Sequence, residues 1–487
     1  MAIPDFLVQR LVVPNSFESQ ENGFSFSLQN NLIDAHIFSM RFLLDGKEIP
    51  PENVCIQESE TRKLSTDQIS RSNPFVFSAG SQATLSVSAL PPKSGKVKLS
   101  LDTKEVGEIS FSLLVNPKKQ SFLGILSRKD SPDIVKPTKP LFSSQQWEKS
   151  WRDYEDWFAG NLNRNLVFFD NSGGFPLEFL ENYPTRMKAD AILDRQQTYI
   201  NGMTCQADSI PKWWPNFGPG IAAGFLGSGV QSSPDTAWFT PLPKNSLSEI
   251  DPVFDRNNFW WKQVFDITQK AVKRWGTWVS IGHTDLGGTL DILASLRGTE
   301  ALLQDLIDDP DRVEELVWKI HNIWHTFYDE LTKIILPAEK GTSCWGPFLF
   351  PGKGYLLQCD FSYMISPKMF ERFVLPELEA SCKKMEFPTY HMDGKGQIKH
   401  LDMLLGIKDL KGIQWVPGDG NPPAEEWLPI LGKIRKANKL VQVTVSSEGS
   451  LQITKALGNR GFLFNIVEKI TNEDSSSFIS TMNSIPT

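Results

Sequence analysis

The chain has few cysteines: five in 487 residues, Cys55, Cys205, Cys344, Cys359 and Cys382, with no Cys-x-x-Cys pair. An odd, scattered set excludes a disulfide framework and suits a reducing compartment. No stretch approaches the roughly 20 apolar residues of a spanning helix, so no membrane partner is expected. The opening Met1–Phe6 lacks a basic segment followed by a long apolar run. A secretory signal is therefore not expected, and the expected address is cytoplasmic. No Gly-x-Gly-x-x-Gly follows the first strand of the α/β part and no Gly-x-x-x-x-Gly-Lys-Ser/Thr occurs, so NAD and ATP lack a phosphate cradle. A basic excess is missing too: the net charge is −7 and the isoelectric point near 5.6. That disfavours nucleic acid and leaves small molecules as the expected partners.

What is present begins with length. At 487 residues the chain exceeds one ordinary core, because single cores stop growing near roughly 250 to 300 residues. From Gly23 to Val115 apolar and polar residues alternate with period two, as in Phe24–Leu28, Ile37–Phe42, Thr84–Ser88, Val97–Leu101 and Ile109–Leu113, with Asp45-Gly46 as a turn. No helix is interleaved, which predicts a small all-β sandwich over residues 1–115. A Lys-, Pro- and Ser-rich stretch at 116–145 reads as a linker.

Over 146–487 short apolar strands alternate with amphipathic helices. Leu166–Phe169, Trp278–Ile281, Tyr355–Gln358, Gly412–Val416, Leu440–Val445 and Gly461–Phe464 read as strands, Thr299–Ile307 and Pro310–Ile335 as helices, the second opened by Asp309-Pro310. This rhythm predicts an α/β fold, a (β/α)8 TIM barrel with insertions, ahead of a doubly wound open sheet.

Residues where strand gives way to loop would share the barrel's mouth. They are Asp170, His283 with Asp285, Trp345, Asp360, His391 with Asp393, Trp415 and Glu448. His391 and Asp393 stand two apart, so both side chains face one way. That permits a His-carboxylate acid-base pair or shared metal ligation, against a packed histidine beside a turn aspartate. Asp360 follows an apolar strand, and Ser366-Pro367 is the better helix start, so a reactive carboxylate is favoured over an N-cap. His283-x-Asp285 repeats the spacing in a glycine-flanked loop. Asp170 and Glu448 rank second, with turn and capping roles as the alternatives. His321 and His325, four apart on a helix, read as surface residues.

Together, Trp345-Gly346-Pro347-Phe348, Gln358–Ser362 with Ile365-Ser366-Pro367, Tyr390-His391-Met392-Asp393-Gly394 and Gln414–Gly418 resemble the uroporphyrinogen decarboxylase superfamily over residues near 150 to 480. The resemblance implies a barrel, a site at its mouth, and kinship to corrinoid-dependent methyltransferases, hence a corrinoid protein as a candidate partner. Zinc-dependent relatives carry His-x-Cys where this chain has His391-Met392-Asp393, so a thiolate zinc site is not expected. Val13–Phe17, Asn22–Phe24 and Asp45–Lys47 resemble the β subunit of C-glycoside deglycosidases, which implies a partner-like β domain fused to the barrel.

The expected function is methyl transfer from a small organic substrate. Decarboxylase or lyase chemistry without a cofactor, and non-catalytic ligand binding, are the alternatives. The expected catalytic residues are Asp360, His391 and Asp393. The expected substrate contacts are Asp170, Trp213, Trp214, His283, Asp285, Trp345, Gln358, Trp415 and Glu448. His391, Asp393 and Glu448 are the candidate ligands of a divalent ion, zinc or manganese. Self-association is left open.

Overall fold

The computed structural model describes residues 16, 18–20, 23–29, 35–44, 47–59, 62–78, 81–89, 96–104, 107–114, 141–169, 189–232, 237–244, 246–276, 278–338, 340–468 and 472–485. The chain divides into two units, Met1–Asp133 and Ile134–Thr487. The Asp45-Gly46 turn, most of the expected linker and Asp170 lie outside the described residues.

The first unit is built from strands β1 (Glu18–Gln20), β2 (Gly23–Gln29), β3 (Ala35–Leu44), β4 (Lys47–Ile49), β5 (Val54–Ser59), β6 (Arg62–Ser65), β7 (Phe75–Phe77), β8 (Gln82–Val87), β9 (Lys96–Thr103) and β10 (Gly107–Leu114). They form two antiparallel sheets, ordered β1-β2-β8-β5-β6 and β10-β9-β3-β4, with β7 paired to β3. The period-two pattern sets the inward face: Phe24, Phe26 and Leu28 on β2 and Val97, Leu99 and Leu101 on β9 are buried. On β3 the buried set jumps from Ile37 to Met40, because the register shifts between Ile37 and Ser39. Rings of the two sheets meet directly, Phe24 and Phe42 lying 6.5 Å apart, so the unit is a sandwich around one apolar core.

The second unit is mixed α/β. Its main sheet has six parallel strands: β11 (Leu166–Phe169), β18 (Gly354–Gln358), β19 (Phe387–Asp393), β20 (Gly412–Val416), β21 (Leu440–Val445) and β22 (Phe462–Ile466), in the order β11-β22-β21-β20-β19-β18. Shorter strands lie between β11 and β18 in the chain. β12 (Lys212–Trp213) pairs in parallel with β15 (Ser280–Ile281), and two hairpins join β13 (Gly229–Ser232) to β14 (Ala237–Thr240) and β16 (Thr342–Ser343) to β17 (Leu349–Phe350). Main-chain bonds carry on between these pieces, from Asp208 N–H to the Val167 carbonyl at 2.9 Å and from His283 N–H to the Ser343 carbonyl at 2.9 Å. Strands buried on both faces read as apolar runs, which is why β11, β20 and β21 were visible in the sequence. The two-residue strands carry no such signal.

The helix Pro310–Ile335 has the predicted bounds, although Asp309 makes no side-chain cap. His321 and His325 on it are buried, not exposed. They lie on the inward stripe of the helix, where the His321 ring is 3.2 Å from the Glu377 carboxylate and His325 Nε2 is 3.0 Å from the Ser381 hydroxyl. Those partners stand four apart on the facing helix, a spacing that contact between two helices rewards. Among the described residues no helix is long and apolar enough to cross a membrane.

Candidate functional site

The parallel register places Gln358, His391, Gln414 and Gln442 side by side on β18, β19, β20 and β21. Aligned residues of neighbouring parallel strands share a face, so these four form one polar row across a mainly apolar sheet. The row continues into Leu463 and Leu166. His391 Nδ1–H donates to Gln414 Oε1, and the Gln414 amide donates in turn to Gln442 Oε1. That chain commits Nδ1–H as a donor and leaves Nε2 outside it.

One step further along the strands stand the carboxylates. Asp393 ends β19 two residues beyond His391 and so projects from the same face as the row, while Asp360 opens the turn that follows β18. Ligand atoms of Asp360, His391 and Asp393 lie within 4.8 Å of one another. Gln358 Nε2 also reaches Asp285 Oδ1 at 3.4 Å, which brings a third aspartate to the group. The ring of Trp345 meets the His391 ring edge to face, with centroids 4.9 Å apart.

Crowded carboxylates resist ionisation. Burial, then the charges of Asp393 and Asp285, push Asp360 up to about 7. Burial pushes Asp285 up to about 6, while the Gly287 N–H at 2.9 Å and the His391 ring pull it down. Asp393 is raised by burial against the opposing pull of His391. Asp360 remains solvent-reachable, so water moderates the penalty of charging it. Since its folded value lies above its unfolded one, Asp360 costs no stability below the ordinary carboxylate range. The cost grows as pH rises from there through about 7. Asp360→Asn is accordingly expected to stabilise metal-free protein above pH 7 by about 1 kcal/mol after allowance for solvent screening, and so to raise its thermal midpoint. The gain should vanish near pH 4, and a melting series against pH checks it.

Several supporting residues escaped the sequence reading. The Tyr355 hydroxyl donates to the Thr284 carbonyl at 3.1 Å and accepts from Leu286 N–H at 2.8 Å, gripping the chain on both sides of Asp285. Asp291 accepts from the backbone N–H groups of Asp360 (3.0 Å) and Phe361 (2.7 Å), fixing the turn on which Asp360 sits. Gln414 and Gln442 had a usable signal: a glutamine inside each of the apolar runs Gly412–Val416 and Leu440–Val445, in phase with His391.

Other expected site residues stand elsewhere. Trp213 is core: it is buried, its indole N–H donates to Gln196 at 3.1 Å, and its ring packs edge to face on Trp275. Trp415 faces away from the row because Gln414 takes the inward position, and it packs on Trp427 at 5.3 Å. His283 is wholly buried, stacked on Tyr328, with ring nitrogens 3.2 Å from the Ser343 carbonyl and 2.9 Å from the Thr332 hydroxyl. Burial lowers it to about 4, so it stays neutral and structural. Glu448 is an exposed first-turn residue of the helix Ser447–Leu457, which Ser446 caps; it is outside the converging group, and Asp360 takes the expected ligand's place. Trp214 is half-buried and packs over Gly282. The glycines after Asp285 serve packing: a Cβ on Gly288 would lie 2.1 Å from the Gln358 carbonyl oxygen.

Comparison with known proteins overturns the expected kinship. The family model that matches is hydroxymethylglutaryl-CoA reductase, N-terminal domain, over residues 7–115, not a uroporphyrinogen decarboxylase family. It falls on the segment that resembled the deglycosidase β subunit, and it spans well under half the chain. The motifs that suggested the superfamily mark strand ends of a parallel sheet, where polar and glycine-rich turns recur in unrelated proteins. No curated protein matches the chain. A solved structure of an inactive mutant GH20 exo-β-N-acetylglucosaminidase from Vibrio harveyi is 11% identical, covers 92% of this chain and 80% of that one, and has a TM-score of 0.20, too low to support a fold or an activity.

Proposed function

We propose that the second unit is an enzyme acting on a small organic substrate at Asp360, His391 and Asp393, by cleavage of a bond in which a proton is exchanged with these groups. The convergence of three ligand-bearing side chains within 4.8 Å at adjacent strand ends carries this reading. Asp360 and Asp285, pushed up to about 7 and about 6, can hold and release a proton near neutral pH, as a general acid or base must. His391, with Nδ1–H committed to Gln414, presents Nε2 as base. Decarboxylation or elimination fits this set. A closed barrel of the (β/α)8 type is the architecture we infer, supported by the main-chain bonds that continue beyond the six-stranded sheet.

The two carboxylates and one imidazole also suit a hard or borderline divalent ion such as manganese or zinc, which when bound supplies Lewis acidity. Methyl transfer is the second reading, favoured by the Trp345 ring against His391, whose neighbours include the carboxylates of Asp360 and Asp393, an aromatic and acidic setting that attracts a methylammonium group. Calorimetric titration with manganese, together with screening of small carboxylates for carbon dioxide release and of methylamines for methyl loss, separates these reactions. No turnover of either class, with unchanged ligand binding in Asp360→Asn, would leave the catalytic reading without support.

Gln414→Leu is expected to weaken manganese binding by about tenfold to a hundredfold, because the ligand's orienting partner is lost. Nitrogen NMR of the imidazole should show His391 shifting toward mixed tautomers. Unchanged tautomer populations would contradict the orienting role.

A further inference from the structure

Asp360 opens the turn after β18 and Asp393 ends β19, and like charges drive the segments that follow apart unless something ties them. We infer that Tyr363 is that tie: a positioning residue whose ring, seated on Gly394 and Gly396, sets the separation of the two carboxylates. Asp360 opens the single turn Asp360–Tyr363, and Gly394, with φ +78°, directly follows Asp393. A Cβ on Gly394 would come within 3.0 Å of the Tyr363 ring, and one on Gly396 within 2.6 Å. A side chain at Gly396 would displace the ring, and at Gly394 the positive φ itself favours glycine. The Lys399 ammonium donates to the Tyr363 carbonyl at 3.0 Å, and the His400 imidazole donates to the Ser362 carbonyl at 2.9 Å, so backbone and ring are held by the same loop.

The inference rests on reading Asp360, His391 and Asp393 as one site, and its test separates the two claims. Hydrogen exchange on the metal-free full chain comes first. Tyr363→Ala should speed exchange in residues 394–400 by about tenfold, while Tyr363→Phe, which keeps the ring, should not. Manganese titration comes second: Tyr363→Ala and Gly396→Leu should each bind about tenfold more weakly than wild type, with the thermal midpoint little changed, and Tyr363→Phe should bind normally. Faster exchange confined to residues 360–364 would overturn the tie, as would wild-type manganese affinity in Tyr363→Ala. If wild type binds no manganese but the exchange difference appears, the tie stands and the metal reading falls.

Discussion

Replacing His391 by alanine is expected to lower manganese affinity by more than about a hundredfold, since losing a ligand should exceed the tenfold to hundredfold cost of losing its orienting partner. The row Gln358, His391, Gln414, Gln442 gives the imidazole one committed nitrogen and one available nitrogen. Removing it leaves Asp360 and Asp393 as two repelling carboxylates with no base between them. Any turnover that depends on proton exchange should fall with it, typically by about 10²- to 10⁴-fold. Stability should change little by comparison, because His391 is only half-buried. Paired calorimetry of binding and of unfolding distinguishes loss of a site from loss of a fold. Wild-type affinity in this variant would remove His391 from the site.

The largest stability effect is expected away from the site, at Arg164. Its guanidinium donates two parallel bonds to the Asp208 carboxylate at 2.7 and 2.8 Å, and another to Asp153 at 2.8 Å. Asp208 also accepts the Val167 N–H of β11 at 2.9 Å, so one carboxylate anchors the first strand of the main sheet. The Asp208 side chain is only 5% exposed. Arg164→Leu strands that buried charge, at a cost of about 3 to 5 kcal/mol. Denaturant unfolding checks the size, and Arg164→Lys should recover only part because it gives up the paired geometry. An unperturbed midpoint would mean that Lys149, 3.9 Å from Asp208, compensates.

How much of this was legible depended on signal length. The strands of the sandwich and those at 166, 354, 412, 440 and 462 show as alternation or as short apolar runs. Their inward residues could then be found by counting twos from His391. Pairs such as Lys212–Trp213 are too short to carry a period, so the phase that turns Trp213 into the core was invisible. Trp415 misled for a related reason: the strand end was correct, but its inward face belonged to Gln414. Asp291 and Tyr355 act through backbone groups brought close only by folding, and no spacing announces that. His321 and His325 looked exposed because their partners, Glu377 and Ser381, lie more than fifty residues away. Family resemblance drawn from strand-end motifs proved the least secure guide, since parallel sheets impose those motifs generally.

The central claim is that Asp360, His391 and Asp393 act as one ligand set. Anomalous X-ray diffraction from crystals of the full chain soaked in manganese tests it most directly. A peak is expected at roughly 2.0 to 2.2 Å from both carboxylates and the imidazole, lost in Asp360→Asn. Full manganese occupancy elsewhere, with these three side chains turned away from one another, would contradict it.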